Sequence, residues 1–452
     1  MSHFPPSGSA PLTSWQRRGL VLVGAAVVLF GAVVEFRSAL LAHRAGDLGV
    51  FLRAAWAVRS GEDLYAITDN NGHHYHYPPL LAILLAPLAD PPPGRTIDWA
   101  LGYRASVAAW YVVSVACLVL ALHWLASALE ESLYGPGDRP RRGGRAWWAL
   151  RAVPLVGCLP AVGGALMRGQ VDFLLLLLLC GMTAAALRGQ SVRAGILLAA
   201  AISVKVFPAF LLLYPLWRRD RRWLVGCAAG LVLFLGVLPA AALGPARAAA
   251  YAREWYEVLL KPGLTDGGDQ ARAAELTNIT GTDSQSFVAT IHNTRHLERA
   301  TRPPAADRAE RLAHWAIGAL LTLATWLAGR RAPPDGPAPA VLLGALTVLM
   351  LLLSPVCHLH YFSLSVPLVL GLTAAWQARG GVGRGLVLLL AVNVAANALP
   401  RLPGLEVLRD VGLAGYAALL LWAVACAVVW RSTRRPGAAV SHDLPRRRRM
   451  AA

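Results

Sequence analysis

Lysine is almost missing from this chain: only two of its 452 residues are Lys, against 41 Arg. Charge of any kind is scarce at 15%, well below the roughly 25% of a soluble domain, which excludes a water-solvated globule. Six cysteines stand singly, five of them inside apolar runs (Cys117, Cys158, Cys180, Cys227 and Cys426), with no CxxC spacing. That excludes a disulfide framework and a zinc knuckle. No phosphate-cradling glycine loop or dinucleotide fingerprint occurs. No internal repeat occurs either, against the two-halves logic of many secondary transporters. What the chain has is apolar surface: 56% of its residues are hydrophobic and the mean hydropathy is +0.49. Its main solvent is lipid.

A bilayer core of about 30 Å takes roughly 20 apolar residues of helix. Runs of that kind cover Leu20–Val34, Leu101–Leu129, Trp147–Leu166, Phe173–Leu187, Trp223–Leu243, Leu312–Leu327, Ala338–Leu353, Tyr361–Trp376, Gly385–Leu399 and Val411–Trp430. Glu35-Phe36-Arg37 follows the first run where a cleaved signal would carry small residues, so that run is expected to be a retained span. Ala194–Leu216 differs, with Lys205 and Pro208 at its middle and arginines on both flanks. A single crossing would strand one basic cluster outside. Two arms of about 11 residues rise only roughly 16 Å each, so a V-shaped pair of short helices meeting near Lys205 is expected.

This gives about 12 helical segments in an all-α polytopic membrane protein with both termini cytoplasmic: a tail over 1–19, a membrane domain over 20–430 and a basic tail over 431–452. The long segments 36–97 and 244–311 fall outside. The formal charge of +18 is then a topology signal and not a nucleic-acid signal. Arg17, Arg18, the Arg139–Arg145 cluster, both hairpin flanks, Arg330, Arg331, Arg379, Arg384 and the Arg446–Arg449 tail all collect on the cytoplasmic side.

Unusual polar residues collect on the other side. Leu48, Phe51, Leu52, Ala55 and Val58 recur at helical spacing, predicting a short amphipathic helix at the membrane interface. Asp47 stands immediately before it, either as a helix cap or as a general base held at the membrane surface. His73, His74 and His76 precede Tyr77-Pro78-Pro79; with no carboxylate or cysteine completing a recognisable ligand set nearby, a polar aromatic loop is favoured over a metal site. Arg168-Gly169-Gln170-Val171-Asp172 forms a tight outer turn whose Gln170 and Asp172 face a lumen or cap the next helix. Lys205 is a rare lysine kept where a charge costs about 2.5–3.5 kcal/mol. It snorkels or pairs structurally, or it faces an anionic ligand in a polar cavity. The TNITGTDSQSFVATIHNTRH stretch has the hydroxyls and amides of a carbohydrate or phosphate loop, and His358 and His360 break the chain between two spans as donors to an anion.

In order along the chain, GDLGVFLRAAW with GEDLY, YPPLLAILLAPLA, RGQVDFLLL, the Lys205 hairpin, SQS and SPVCHLHY resemble glycosyltransferase family 87, from about Gly19 to Trp430. The resemblance implies a GT-C-type membrane enzyme of the bacterial α-mannosyltransferase kind. It implies a polyprenyl-phosphate sugar donor, a glycolipid or polysaccharide acceptor and an active site on the outer side of the cytoplasmic membrane, with no cofactor or metal. Asp47 looks like the catalytic base. Lys205, His358, His360, Tyr77, Arg168, Gln170, Gln285 and Ser286 look like substrate-binding positions. Asp172 stands where the family usually has Asn, and Cys357-His358-Leu359-His360 departs from its aromatic-then-His pattern. Both departures bear on the sugar more than on the chemistry. The competing class is a flippase or transporter of lipid-linked sugars, which would share the lipid groove and the cation without needing Asp47.

Overall fold

The computed structural model describes residues 11–41, 46–98, 101–134, 140, 142–261, 272, 275, 279 and 284–433. The Arg446–Arg449 run, Arg139 and Arg141 of the Arg139–Arg145 cluster, and most of the TNITGTD stretch lie outside the described residues. The described residues contain helices and two isolated bridges, with no strand. In chain order the helices are α1 (Ser14–Leu41), α2 (Gly46–Ser60), α3 (Pro79–Leu84), α4 (Tyr103–Tyr134), α5 (Arg145–Gly157), α6 (Leu159–Leu166), α7 (Asp172–Leu187), α8 (Ser191–Val204), α9 (Leu213–Arg218) and α10 (Arg221–Leu231). There follow α11 (Leu238–Leu243), α12 (Pro245–Trp255), α13 (Phe287–Arg295), α14 (Arg308–Gly329), α15 (Ala338–Leu353), α16 (Val366–Gln377), α17 (Arg384–Ala398), α18 (Glu406–Asp410) and α19 (Leu413–Thr433).

Six of the described helical stretches are long and apolar enough to cross a membrane, or up to seven if the bent pair α5–α6 is one span. That pair corrects the expected unbroken Trp147–Leu166 run. The chain bends by 69° between Gly157 and Leu159, where Cys158 leaves helical geometry (φ −115°, ψ 14°) and Pro160 cannot donate the amide that a continuous helix needs. The hairpin takes the expected form. α8 stops at Val204, Lys205 is extended (φ −153°, ψ 131°), and a 3-10 turn (Phe207–Leu212) leads into α9.

A second finding concerns α2. It does not expose a polar face: Leu48 and every residue from Val50 to Val58 are buried, Arg53 among them. Arg53 is neutralised in place, donating from Nε to the Asp90 carbonyl (3.1 Å) and from Nη2 to Asn70 Oδ1 (3.1 Å), with the Asp90 carboxylate 3.5 Å away. A buried guanidinium is tolerated only with partners of this kind. The helix is therefore the core of the segment between α1 and α4, packed with Tyr65, Tyr75 and Leu81.

The centre of the bundle is α15 with the Leu359–Gln377 stretch. Every side chain from Ala338 to Leu352 is buried, and both threonines of this centre bond back one turn, Thr347 to the Leu343 carbonyl (2.9 Å) and Thr373 to that of Val369 (2.7 Å). In lipid there is little hydrophobic drive between helices, so close packing must hold them, and small residues permit it. A Cβ on Gly195 of α8 would stand 2.2 Å from the Trp223 carbonyl oxygen, and one on Gly226 of α10 would stand 2.4 Å from that of Val192. The two backbones touch. Replacing Gly195 with Leu should force α8 and α10 apart and cost about 2 kcal/mol or more. Gly236→Ala, where nothing lies within 4 Å of the added carbon, should be near neutral. Thermal unfolding of the purified protein in detergent distinguishes the two.

Candidate active site

The polar residues converge because helix ends meet there. α7 begins at Asp172, and its neighbour α8 runs back to end beside Lys205. A carboxylate at a helix N-terminus and an ammonium just past a C-terminus are each favoured by the helix dipole. Asp172 Oδ1 lies 3.8 Å from Lys205 Nζ, and Asp172 Oδ2 lies 3.9 Å from His360 Nε2. Asp172 is fully buried, and the side chains of Lys205 and His360 are only 7% and 4% exposed. Lys205 also sits over the rings of Tyr361 (3.8 Å), Phe207 (5.2 Å) and Tyr77 (5.5 Å). The cation is thus held among a carboxylate and three aromatic faces.

Asp172 is the residue that sequence reasoning underused. Its departure from the family's asparagine was visible, but its distance to Lys205 and His360 was not. His360 in turn stacks on His358 (5.3 Å between centroids, 11° between planes) and meets Tyr361 edge-on (4.8 Å).

Beside this cluster opens a cavity of about 800 Å³. Its lining joins apolar side chains, among them Val27 and Phe30 of α1 and Leu159 of α6, with Arg168, His358, His360, Arg401, Glu406 and Arg409. Arg401 and Arg409 lie in the segment between α17 and α19 and carried no motif that singled them out. Lys205 does not line this cavity; it stands behind His360.

Asp47 lies in the first turn of α2, and its carboxylate accepts a hydrogen bond from Gln170 Nε2 of the turn between α6 and α7. That turn is tightly built. Gly169 has φ +60°, its carbonyl accepts from Trp110 Nε1 (2.8 Å), and a Cβ there would meet Glu35 Oε1 at 2.7 Å and Leu48 Cβ at 2.8 Å. Only glycine fits. Burial raises the Asp47 carboxyl above the ordinary carboxylate range, and the charges of Arg168 and Lys205 pull it partly back. Tyr77, packed on Phe51 (5.4 Å), closes this side, its hydroxyl held protonated by burial.

Gln285 and Ser286 hold backbone. The Gln285 N–H donates to the Cys357 carbonyl (2.6 Å) and its Nε2 to the Arg409 carbonyl (2.7 Å); Ser286 Oγ donates to the Pro355 carbonyl (3.2 Å) and caps α13. They tie the histidine break to the arginine-bearing segment. Among the three loop histidines, His74 binds a carboxylate distant in sequence, Glu275, through its N–H (2.9 Å) and Nδ1 (2.8 Å). Elsewhere His292, His296 and Glu310 bring ligand atoms within 4.8 Å of one another. His292 already engages Glu310 (2.8 Å) and the Pro303 carbonyl (2.9 Å), and Arg295 lies 3.0 Å from Glu310, so this is a helix-capping network.

The model of glycosyltransferase family 87 matches residues 75–355. The crystal structure of ArnT from Cupriavidus metallidurans bound to undecaprenyl phosphate is similar at a TM-score of 0.44, with 16% identity over 92% of this chain and 78% of that one. No curated protein matches the chain.

The buried charges make a specific prediction. Lys205→Met leaves Asp172 buried beside a neutral side chain and should cost about 3 kcal/mol or more. Adding Asp172→Asn should recover much of that loss. A double-mutant cycle by thermal unfolding in detergent measures the coupling.

Proposed function

The chain belongs to glycosyltransferase family 87, and on that footing we propose that it transfers a sugar from a polyprenyl-phosphate donor to a hydroxyl of a glycolipid or polysaccharide acceptor. Transfer occurs on the outer side of the bacterial cytoplasmic membrane with inversion at the anomeric carbon, and mannose is the sugar the family resemblance favours. The observation that carries this reading is the cavity, which joins apolar side chains suited to a prenyl chain with arginines and histidines suited to its phosphate, next to a carboxylate held by Gln170. The sidedness follows from chain order. Asp172, the histidine break and the Arg401 segment lie at the helix ends opposite to those that carry Arg188–Arg193, Arg218–Arg222 and Arg379–Arg384. A GT-C-type arrangement is consistent with this all-helical, multi-span chain.

The chemistry needs few parts. The acceptor oxygen attacks the anomeric carbon, its proton passes to Asp47, and the bond from that carbon to the phosphate oxygen breaks with its electron pair staying on the phosphate. The phosphodiester, carrying one negative charge, becomes a phosphate monoester carrying two as Asp47 becomes neutral. Asp47 is the base. His360 and His358, with Arg168, meet the growing phosphate charge. Lys205 contributes from behind through Asp172 and His360.

Asp47→Asn should leave a folded, inserted protein whose transfer from a polyprenyl-phosphate sugar falls at least about 10³-fold. Near-normal turnover would remove Asp47 from the mechanism. An intact donor after incubation of the wild type with acceptor, across a panel of polyprenyl-phosphate sugars, would favour the flippase. Because burial raises the Asp47 carboxyl and the base must be ionised, kcat/KM should fall on the acid side with an apparent pKa above the usual carboxylate value of about 4. A pH profile flat down to that value would sink the assignment.

A further inference from the structure

We propose that His292, His296 and Glu310 form a zinc site that staples α13 to the start of α14. Among the described residues they are the one group of three whose metal-ligand atoms lie within 4.8 Å of one another. None of them lines the cavity, and the inference does not rest on the transferase reading.

The local fold presents the donors. His292 and His296 are one helical turn apart, the His296 N–H donating to the His292 carbonyl (3.0 Å), and their ring centroids are 4.7 Å apart. Two histidines at i, i+4 put two nitrogen ligands on one face of a helix. Glu310 comes from the first turn of α14, which Asp307 caps, and its carboxylate accepts the Asp307 N–H (2.9 Å). Glu310 Oε2 lies 2.8 Å from His292 Nδ1, and Oε1 lies 3.5 Å from His296 Nε2. Ligand atoms about 2.0–2.2 Å from a tetrahedral zinc are roughly 3.3 Å apart. The His296 contact already has that spacing, and the His292 contact needs to open by about half an ångström.

The hydrogen bonds of His292 point to a cation. Its Nε2 lies 2.9 Å from the Pro303 carbonyl, which can only accept, so Nε2 carries a proton. A neutral ring then has a lone pair at Nδ1, aimed at a carboxylate oxygen. Two lone pairs at that distance need an electrophile between them. A proton fills the place when the network only caps α14, and a zinc ion can replace it, the proton leaving to solvent. A ring N–H bonded to a backbone carbonyl is also the usual support of a metal-bound imidazole. The His292 and Glu310 side chains are fully buried, whereas that of His296 is 33% exposed and gives the ion a way in. Arg295 is the competitor. Its Nη1 lies 3.0 Å from Glu310 Oε1 and 2.9 Å from Asp307 Oδ2, and its side chain is half-exposed, so the guanidinium can swing out as the ion enters. The other end of α13 is held too: Ser286 caps it and donates to the Pro355 carbonyl. The ion would fix this strap behind the histidine break at both ends.

The test uses the full-length protein in detergent, freed of any histidine tag and treated with a chelator, then titrated with zinc chloride. One zinc per chain should bind at micromolar concentration or below. Zinc at about 100 times its dissociation constant should raise the unfolding temperature by roughly 2–3 °C. His296→Ala, at a partly exposed position, should fold normally, weaken zinc binding at least about 10-fold and remove the thermal shift. Arg295→Gln should lower the unfolding temperature without zinc yet tighten zinc binding, a pair of effects that a purely capping network would not give. No zinc binding, or the same binding in His296→Ala, would overturn the site. Loss of the bound zinc in His74→Ala would place the ion on the other histidine loop and overturn it as well. An equal shift from magnesium would mark a general carboxylate site and not a zinc site.

Discussion

The buried contact between Asp172 and Lys205 is the constraint on which the site depends. Two helix ends of opposite polarity are brought together inside the bundle, and the charges placed there suit the dipoles of α7 and α8. Neither charge would persist alone at 0–7% exposure. Together they fix the apex of the hairpin, and the second oxygen of Asp172 faces His360. The orientation of the cavity's histidines is therefore set by a carboxylate that does not line the cavity. Lys205 is expensive to retain in a chain that otherwise uses arginine, and its compact ammonium suits a cage of three rings where a planar guanidinium would not fit in the same way.

Much of the fold was legible because the features that encode it are local. Apolar run length predicted the spans, and the Lys205-Pro208 interruption with arginines on both sides predicted the broken hairpin. The bend at Cys158 was missed because apolar composition is the same on both sides of it; only the Pro160 amide, a single missing donor, distinguishes one helix from two. The fate of α2 was missed for a different reason. Periodicity reports that a helix has an apolar face, but it does not say whether the polar face meets water or a second layer of protein, and Arg53 finds Asp90 and Asn70 across loops that periodicity does not register.

The site divides in the same way. Motif residues such as Asp47, Gln170, Lys205 and His360 could be singled out one at a time, and the structure brings all four to one end of the bundle. What the sequence could not supply was their pairing: Gln170 with Asp47, and Asp172 with both Lys205 and His360. Arginines 401 and 409 were invisible for a simpler reason. In a chain with 41 arginines, one more at a helix end is no signal, and it takes the cavity to distinguish them. Gln285 and Ser286 were singled out for polar composition, and they spend those groups on backbone carbonyls, which is the commoner fate of buried amides and hydroxyls.

On the proposed reading, in which Asp47 is the base, the positions of Asp47 and the cations also bear on stereochemistry. Asp47 approaches from α2 and the Gly169–Gln170 turn, whereas His358, His360 and Arg401 approach from the histidine break and the end of α17. A displacement with inversion needs the incoming and departing oxygens on opposite sides of one carbon. Asp47 and the proposed phosphate contacts, which come from different elements, suit a single displacement; a covalent intermediate would instead put the enzyme's nucleophile on the face opposite the phosphate, with the acceptor entering afterwards from the phosphate's side. Arg168 lies beside the Asp47 turn and on the cavity lining, so its charge lowers the cost of ionising Asp47 and, on the proposed reading, also attracts the phosphate. The two demands are compatible because they rise at different moments. The base is anionic before transfer, and the phosphate gains its second charge as that base is neutralised. One fixed arginine then faces a total negative charge that shifts in place but does not grow.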